Sequence, residues 1–146
     1  MIVVVDMNVL FSAVISPNGR IAKLLADTAL PIERVSCHYS FVELFKHQPK
    51  IVKYAKKPVG EVIDDLYTVL SSIQFYNESL IEAHYWQEAI QLTEGVDNFD
   101  VNYVALTLST GGWLWTGDKP LTAHLRSLGF DRVLNTEELW QMINGE

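Results

Sequence analysis

Residues 2–15 read IVVVDMNVLFSAVI, and the fold turns on how this stretch is read. Ile2 to Val5 are four β-branched residues with no polar interruption. Alternation would mark a strand with one wet face. An unbroken apolar run marks a strand covered on both faces, as in a parallel sheet. The run stops at Asp6, and NVLFSAVI (8–15) follows as a short helix, halted by Ser16, Pro17, Asn18 and Gly19.

Working outward, the same alternation of strand and helix recurs. Ile21, Leu24 and Leu25 take i, i+3, i+4 spacing and predict a helix over 20–30. Residues 34–37 form a weaker strand. A helix over 39–47 is interrupted by Pro49. Pro58 opens the next helix, with Val59, Val62, Ile63, Leu66 and Leu70 as its apolar stripe. Residues 73–76 form a short strand, and Ser79 with Glu82 read as a capping box opening a helix that runs to Gly95. A helix starts near Asn98 and runs to Thr110, with Val101, Val104, Ala105 and Leu108 inward. Then come a strand (113–116), a helix (120–128), a strand (132–134) and a last helix (136–144). Parallel strands need crossover helices, and this order supplies them. The expectation is a single α/β domain spanning 1–146, a three-layer α/β/α arrangement around a central, mainly parallel sheet of four to five short strands.

Bulk properties narrow the function classes. The chain has 146 residues and a net charge of −7. Its one cysteine, Cys37, can form neither an intrachain disulfide nor a cysteine-rich zinc site. No apolar run approaches the ~20 residues of a membrane span. MIVVVD has no basic n-region, so a signal peptide is not expected. The expectation is a cytoplasmic protein with no membrane partner. An acidic total argues against a surface that grips nucleic acid all over. However, five of the eleven basic residues lie in KHQPKIVKYAKK (46–57), so a local phosphate-tracking segment stays open beside the plainer reading of a solvated helical face. Tyr54 in that window is suited to base stacking or to packing. Trp86, Leu139 and Trp140 read as core or as a dimer surface. There is no HExxH, no phosphate-binding glycine loop and no serine elbow.

In open parallel sheets the ligand crevice lies beyond the carboxyl ends of the strands. Asp6 directly follows the first strand, and Asp118 follows WLWT by two residues. Glu43 in SFVELF and Asp100 in VDNFDVNYVAL sit near helix starts that face the same edge. Each has a local alternative. Ser40 and Glu43 fit a capping box, Asp97 an N-cap, Asp100 a first-turn acid, and Asp118 the cap ahead of Pro120. Asp6 is the hardest to explain locally, because a carboxylate at the end of a fully apolar strand risks burial. If the four acids share one crevice they repel one another, and a hard divalent cation relieves that repulsion.

The ordered motifs carry a family resemblance over nearly the whole chain. VVVDMNVLFSAVI, SFVELFKH, VDNFDVNYVALTL and WLWTGDKPL together resemble the PIN domain family of metal-dependent nucleases. The resemblance implies an acidic metal site of Asp6, Glu43, Asp100 and Asp118 that binds Mg²⁺ or Mn²⁺. Asn8 and Thr116 would hydrogen-bond the acids or a water on the metal, and Asp97 would be a secondary acid. It implies an endoribonuclease cutting single-stranded RNA, with Lys46, Lys50 and Lys53 as candidate RNA contacts. It further implies a toxin countered by a small antitoxin protein, and a homodimer. The chain departs from many toxin-type members at Val104-Ala105-Leu106, where they carry two adjacent alanines. A PIN-like module that binds RNA or protein without cutting is the alternative.

Overall fold

The structure is a computed structural model that describes residues 1–96 and 100–145. The elements run β1 (Ile2–Val5), α1 (Met7–Ile15), α2 (Arg20–Ala26), β2 (Glu33–Cys37), α3 (Tyr39–Ala55), α4 (Val59–Ser71) and β3 (Gln74–Tyr76). After a 3₁₀ turn (Glu78–Leu80) come α5 (Ala83–Thr93), α6 (Asp100–Thr110), β4 (Trp113–Trp115), α7 (Lys119–Ser127), β5 (Val133–Leu134) and α8 (Thr136–Asn144). The predicted start of a helix near Asn98 lies outside the described residues.

The five strands form one parallel sheet in the order β3-β2-β1-β4-β5. β1 is central. Val4 pairs with Val35 of β2 on one side and Leu114 of β4 on the other. Val3, Val4 and Val5 are fully buried, which is what the unbroken apolar run requires. Helices α1 to α4 pack on one another, and α8 joins them through α2. In a second group, α5 packs against α6 and α7, while α6 lies against β1, β2 and β4. The sheet is thus the middle of three layers.

Several local expectations give way to packing. Helix α3 runs straight through Pro49. Pro49 has no N–H for the carbonyl of Phe45, and that turn lies on the outer side of the helix, where Phe45 is 74 % exposed. Beyond the proline, Ile51 is buried with Val14 and Val62 in a small cluster between α1, α3 and α4, and this contact holds the second half of the helix. Helix α2 stops at Ala26 rather than Leu30. The Asp27 carboxylate accepts from Ala29 N–H, while buried Arg34 donates to the carbonyls of Leu24 and Asp27. Burial lowers the Arg34 pKa from its ordinary value, and the charge of Asp27 opposes that shift. On α4 the inward side is Val62, Leu66 and Val69. Val59 and Ile63 face outward beside Tyr67, which is 75 % exposed. The Ser79–Glu82 box does not form. Asn77 instead accepts from the backbone N–H and hydroxyl of Ser79, and α5 begins later with no side-chain cap. Leu139 belongs to the main core, and Trp86 and Trp140 are partly buried against that core.

Gly112 allows β4 to lie close to β1. A Cβ there would stand 2.8 Å from the Ile2 carbonyl oxygen and 2.9 Å from Ile2 Cγ2. Because the first of these is backbone, no rotamer change relieves it. Gly112→Ala should cost about 1–3 kcal/mol, measured by urea unfolding. Gly60→Ala, where a Cβ meets nothing within 4 Å, is the control and should be neutral or stabilising. Equal midpoints for the two variants would contradict this account of the close approach.

Candidate active site at the switch between β1 and β4

The strand order reverses around β1: the chain builds outward through β2 and β3, then returns to place β4 on the other side. Ligand crevices in open parallel sheets lie at such switch points, beyond the carboxyl ends. Asp6 and Asp118 emerge there.

Asp6 is 4 % exposed. Its backbone N–H donates to the Trp115 carbonyl, which extends the pairing of β1 with β4 by one residue. Asp6 Oδ2 accepts from the Thr116 hydroxyl at 2.7 Å, and Oδ1 accepts from the Asn8 backbone N–H at 3.4 Å. The same Thr116 hydroxyl accepts from the Asp118 backbone N–H at 3.1 Å. One buried hydroxyl therefore fixes the two strand exits relative to each other, donating to one loop and accepting from the next. Asp118 Oδ1 caps α7 by accepting from Leu121 N–H at 3.0 Å, so its local role and a site role coexist. Burial, above all, raises the Asp6 pKa from the ordinary aspartate value. The hydrogen bonds from Thr116 and Asn8 oppose the rise, and the nearby charge of Asp118 adds to it.

Asn8 presents an exposed side chain at a crevice of about 340 Å³, lined also by Val9, Ser12, Ile21, Gly117, Asp118 and Thr136. That volume lies within the range of small-ligand sites.

Glu43 lies on α3, half-buried. The Ser40–Glu43 capping box does not form: α3 starts at Tyr39, and its first amide donates to Glu78 Oε2 at 3.0 Å. Ser40 is fully buried, and its hydroxyl pairs with that of Ser36 at 2.7 Å. Glu43 is instead held by the Tyr103 hydroxyl, which donates to Oε1. Tyr103 is 2 % exposed and lies one turn beyond Asp100 on α6. Burial, chiefly, raises its pKa, with the neighbouring Cys37 and Glu43 adding to the shift. Cys37 is likewise raised by burial and by Glu78. Asp100 is half-buried in the first turn of α6. Asp97 lies outside the described residues.

The acids therefore form two groupings: Asp6, Thr116 and Asp118 at the sheet edge, and Glu43 with Tyr103 where α3 meets α6. Among the described residues, no three Asp, Glu, His or Cys side chains converge closely enough to hold a metal ion. The donor chemistry nevertheless fits a hard cation. Asp6 and Asp118 are all-oxygen donors, the charge of Asp118 is felt by Asp6, and magnesium is commonly held by one or two carboxylates, with waters and substrate phosphates completing its shell.

Sequence reading missed Tyr103 and Glu78. The signal for Tyr103 was its i+3 spacing from Asp100, which puts both on one helix face. The signal for Glu78 was its place just after β3, at the same carboxyl edge. The basic window divides in two. Lys46, Lys50 and Lys53 are exposed on α3, whereas Lys57 forms an ion pair with Asp65 and reaches the Val14 carbonyl.

Known structures share this architecture. A chain of VapBC2 from Rickettsia felis, crystallised bound to a DNA fragment from their promoter, superposes with a TM-score of 0.65 at 16% identity, covering 92% of this chain and 98% of that one. At that identity the likeness establishes the fold. The PIN domain family matches residues 4–137, and the chain belongs to that family, whose members are generally nucleases. A comparison with curated proteins found no match.

Proposed function

We propose that this chain is a Mg²⁺- or Mn²⁺-dependent endoribonuclease that hydrolyses phosphodiester bonds in single-stranded RNA. The observation that carries the reading is the Asp6–Thr116–Asp118 linkage at the switch point. A carboxylate is held there in a buried place against its desolvation cost. An unligated charge in such a place is unfavourable, and a cation of the native state is what offsets it. When bound, a divalent cation polarises the phosphoryl group and lowers the pKa of an attacking water.

The protein's own residues would do the rest. Asp6 and Asp118 hold the cation, with Asp100 and Glu43 completing the acidic surround. Thr116 keeps Asp6 in one rotamer. Asn8, at the crevice mouth, is placed to hydrogen-bond the incoming phosphate or water. The continuity of α3 through Pro49 supports an RNA path. Glu43, Lys46, Lys50 and Lys53 follow at spacings of three, four and three, so at ~3.6 residues per turn they share one face. Phosphates tracked by those lysines lead directly to the acidic site.

The family membership, together with the shared fold of the VapBC2 chain, supports a toxin role with a small antitoxin partner. The exposed Val59, Ile63 and Tyr67 on α4 support a homodimer face, since contiguous exposed apolar residues mark interfaces. No helix among the described residues is long and apolar enough to cross a membrane, and a cytoplasmic location remains part of the proposal. The non-cutting alternative is favoured by one observation, that no three metal-ligating groups gather among the described residues.

A labelled single-stranded RNA separates the two readings. The parent should cut it with Mn²⁺ and stop with EDTA, and Asp100→Asn and Asp118→Asn should each lose roughly 10²-fold or more, the scale of removing one charge-stabilising group. If both variants cut like the parent, the assigned site is wrong. A parent that does not cut, and melts at one temperature with or without Mn²⁺, is a binding module, because a ligand of the native state must stabilise it.

A further inference from the structure

The hydroxyl of Tyr103 stands beside a row of buried hydroxyls that the proposed chemistry has not used. Ser36 Oγ donates to the Val5 carbonyl at 2.9 Å, and Ser36 and Ser40 are joined at 2.7 Å. Ser40 lies 3.4 Å from Tyr103 Oη, and Tyr103 donates to Glu43 Oε1. Ser36, Ser40 and Tyr103 are all essentially inaccessible to water. The proton directions follow from the ends. A carbonyl and a carboxylate accept only, so Ser36 must donate to Val5 and Tyr103 to Glu43. Ser40 has one proton, and the nearer acceptor is Ser36. That leaves no proton for the 3.4 Å approach of Ser40 to Tyr103, so the Ser40–Ser36–Val5 bonds tie α3 to β2 and β1, and Tyr103 of α6 gives its proton to Glu43 alone.

We propose that Tyr103 is a positioning residue that fixes the Glu43 carboxylate toward the metal and so sets metal affinity. Nothing in the hydroxyl chain requires Tyr103 for its other bonds: Ser36 and Ser40 satisfy one another and the Val5 carbonyl without it. What the phenol adds is a directed donor to a glutamate whose side chain has three rotatable bonds and stands half-exposed. Without that donor the carboxylate loses a fixed hydrogen bond from a rigid, buried ring, and more of its ordering must be done each time a cation binds. Partners that orient a metal ligand in this way typically change affinity or activity by ~10–100-fold when removed. The inference rests on the assignment of Glu43 to the metal site.

Mn²⁺ binding to the full chain, followed by calorimetry, tests it with four proteins: the parent, Tyr103→Phe, Glu43→Gln and the double variant. Tyr103→Phe keeps the ring in the core, so metal-free melting should stay near that of the parent while Mn²⁺ binds ~10-fold more weakly. In the Glu43→Gln background the same change should add nothing, because the tyrosine acts through the glutamate. Parent-like affinity in Tyr103→Phe overturns the proposal, provided Glu43→Gln alone is weakened. An equal loss in both backgrounds also overturns it, by showing a general structural effect. If Glu43→Gln binds Mn²⁺ as tightly as the parent, Glu43 is not a ligand, and that assignment and the role of Tyr103 fall together.

Discussion

Asp6→Asn is expected to abolish RNA cleavage and, at the same time, to make the metal-free protein more stable at neutral pH. The loss of activity should be roughly 10³-fold, at the upper end of what removal of one charge-stabilising group costs, since the carboxylate would also bind the cation. The gain in stability follows from burial. Asp6 is 4 % exposed, and desolvation outweighs its hydrogen bonds, so its pKa in the folded protein lies above the unfolded value. The native state then holds the proton more tightly than the unfolded chain does. Stability is fullest below the unfolded aspartate pKa of ~3.9 and falls as pH rises through the folded pKa. Above the unfolded pKa the native protein bears the cost of keeping a carboxylate in a buried place, and asparagine removes it. The amide of asparagine can also still serve Thr116, whose hydroxyl oxygen has a second lone pair.

Melting curves in EDTA provide the check. The variant should melt higher than the parent at pH 7 by a few degrees, given ~2–4 °C per kcal/mol for a domain of about this size. The gap should close toward pH 4. Saturating Mn²⁺ should reverse the ranking, because a cation at 100 times its Kd stabilises the parent by ~2.7 kcal/mol. If the variant melts below the parent at pH 7 in EDTA, the hydrogen bond by which the Asp6 carboxylate caps α1 at Asn8 N–H outweighs its burial, and the carboxylate is structural first.

The second large effect is expected at Trp115. It is fully buried in β4, pairs with Val5 and Leu134, and its indole N–H donates to the Thr136 hydroxyl at 3.0 Å. Trp115→Ala should cost about 3–5 kcal/mol, a large fraction of the ~5–15 kcal/mol that a whole domain has. The melting temperature should fall by about 10 °C. Trp115→Phe refills much of the volume and should cost clearly less. The effect reaches function because Thr116 and Asp118 hang on the end of this strand. Well below its melting temperature, the alanine variant should still cut RNA less well than the parent. Melting within 2–3 °C of the parent, a margin set by the ~2–4 °C per kcal/mol scale, would show that the cavity collapses and that β4 is not the rigid support described here.

Much of this was legible in residue order. The run IVVV, the WLWT strand and the helices between them carry local patterns, and all five strands lie within a residue or two of where those patterns put them. Asp6 stood out because a carboxylate closing an apolar strand has few local explanations. For Pro49 and the two candidate capping boxes, adjacent residues alone point to a helix break and to two caps. Two of the outcomes were set by residues far along the chain, Ile51 buried against Val14 and Val62 and Glu78 serving the first amide of α3, and the third by a competing local partner, Asn77, which accepts from Ser79.

The division is therefore physical. Sequence alone determined which residues are apolar, at what period they recur, and which acids follow which strands, since each depends on covalent neighbours. Only the tertiary structure decided that β4 returns to the side of β1 opposite β2, which sets Asp118 beside Asp6. It also decided that Ser40 abandons its cap to join Ser36, and that Tyr103 takes hold of Glu43 across 60 residues. Such contacts arise when buried polar groups must find partners, and the chain supplies those partners only once it has folded.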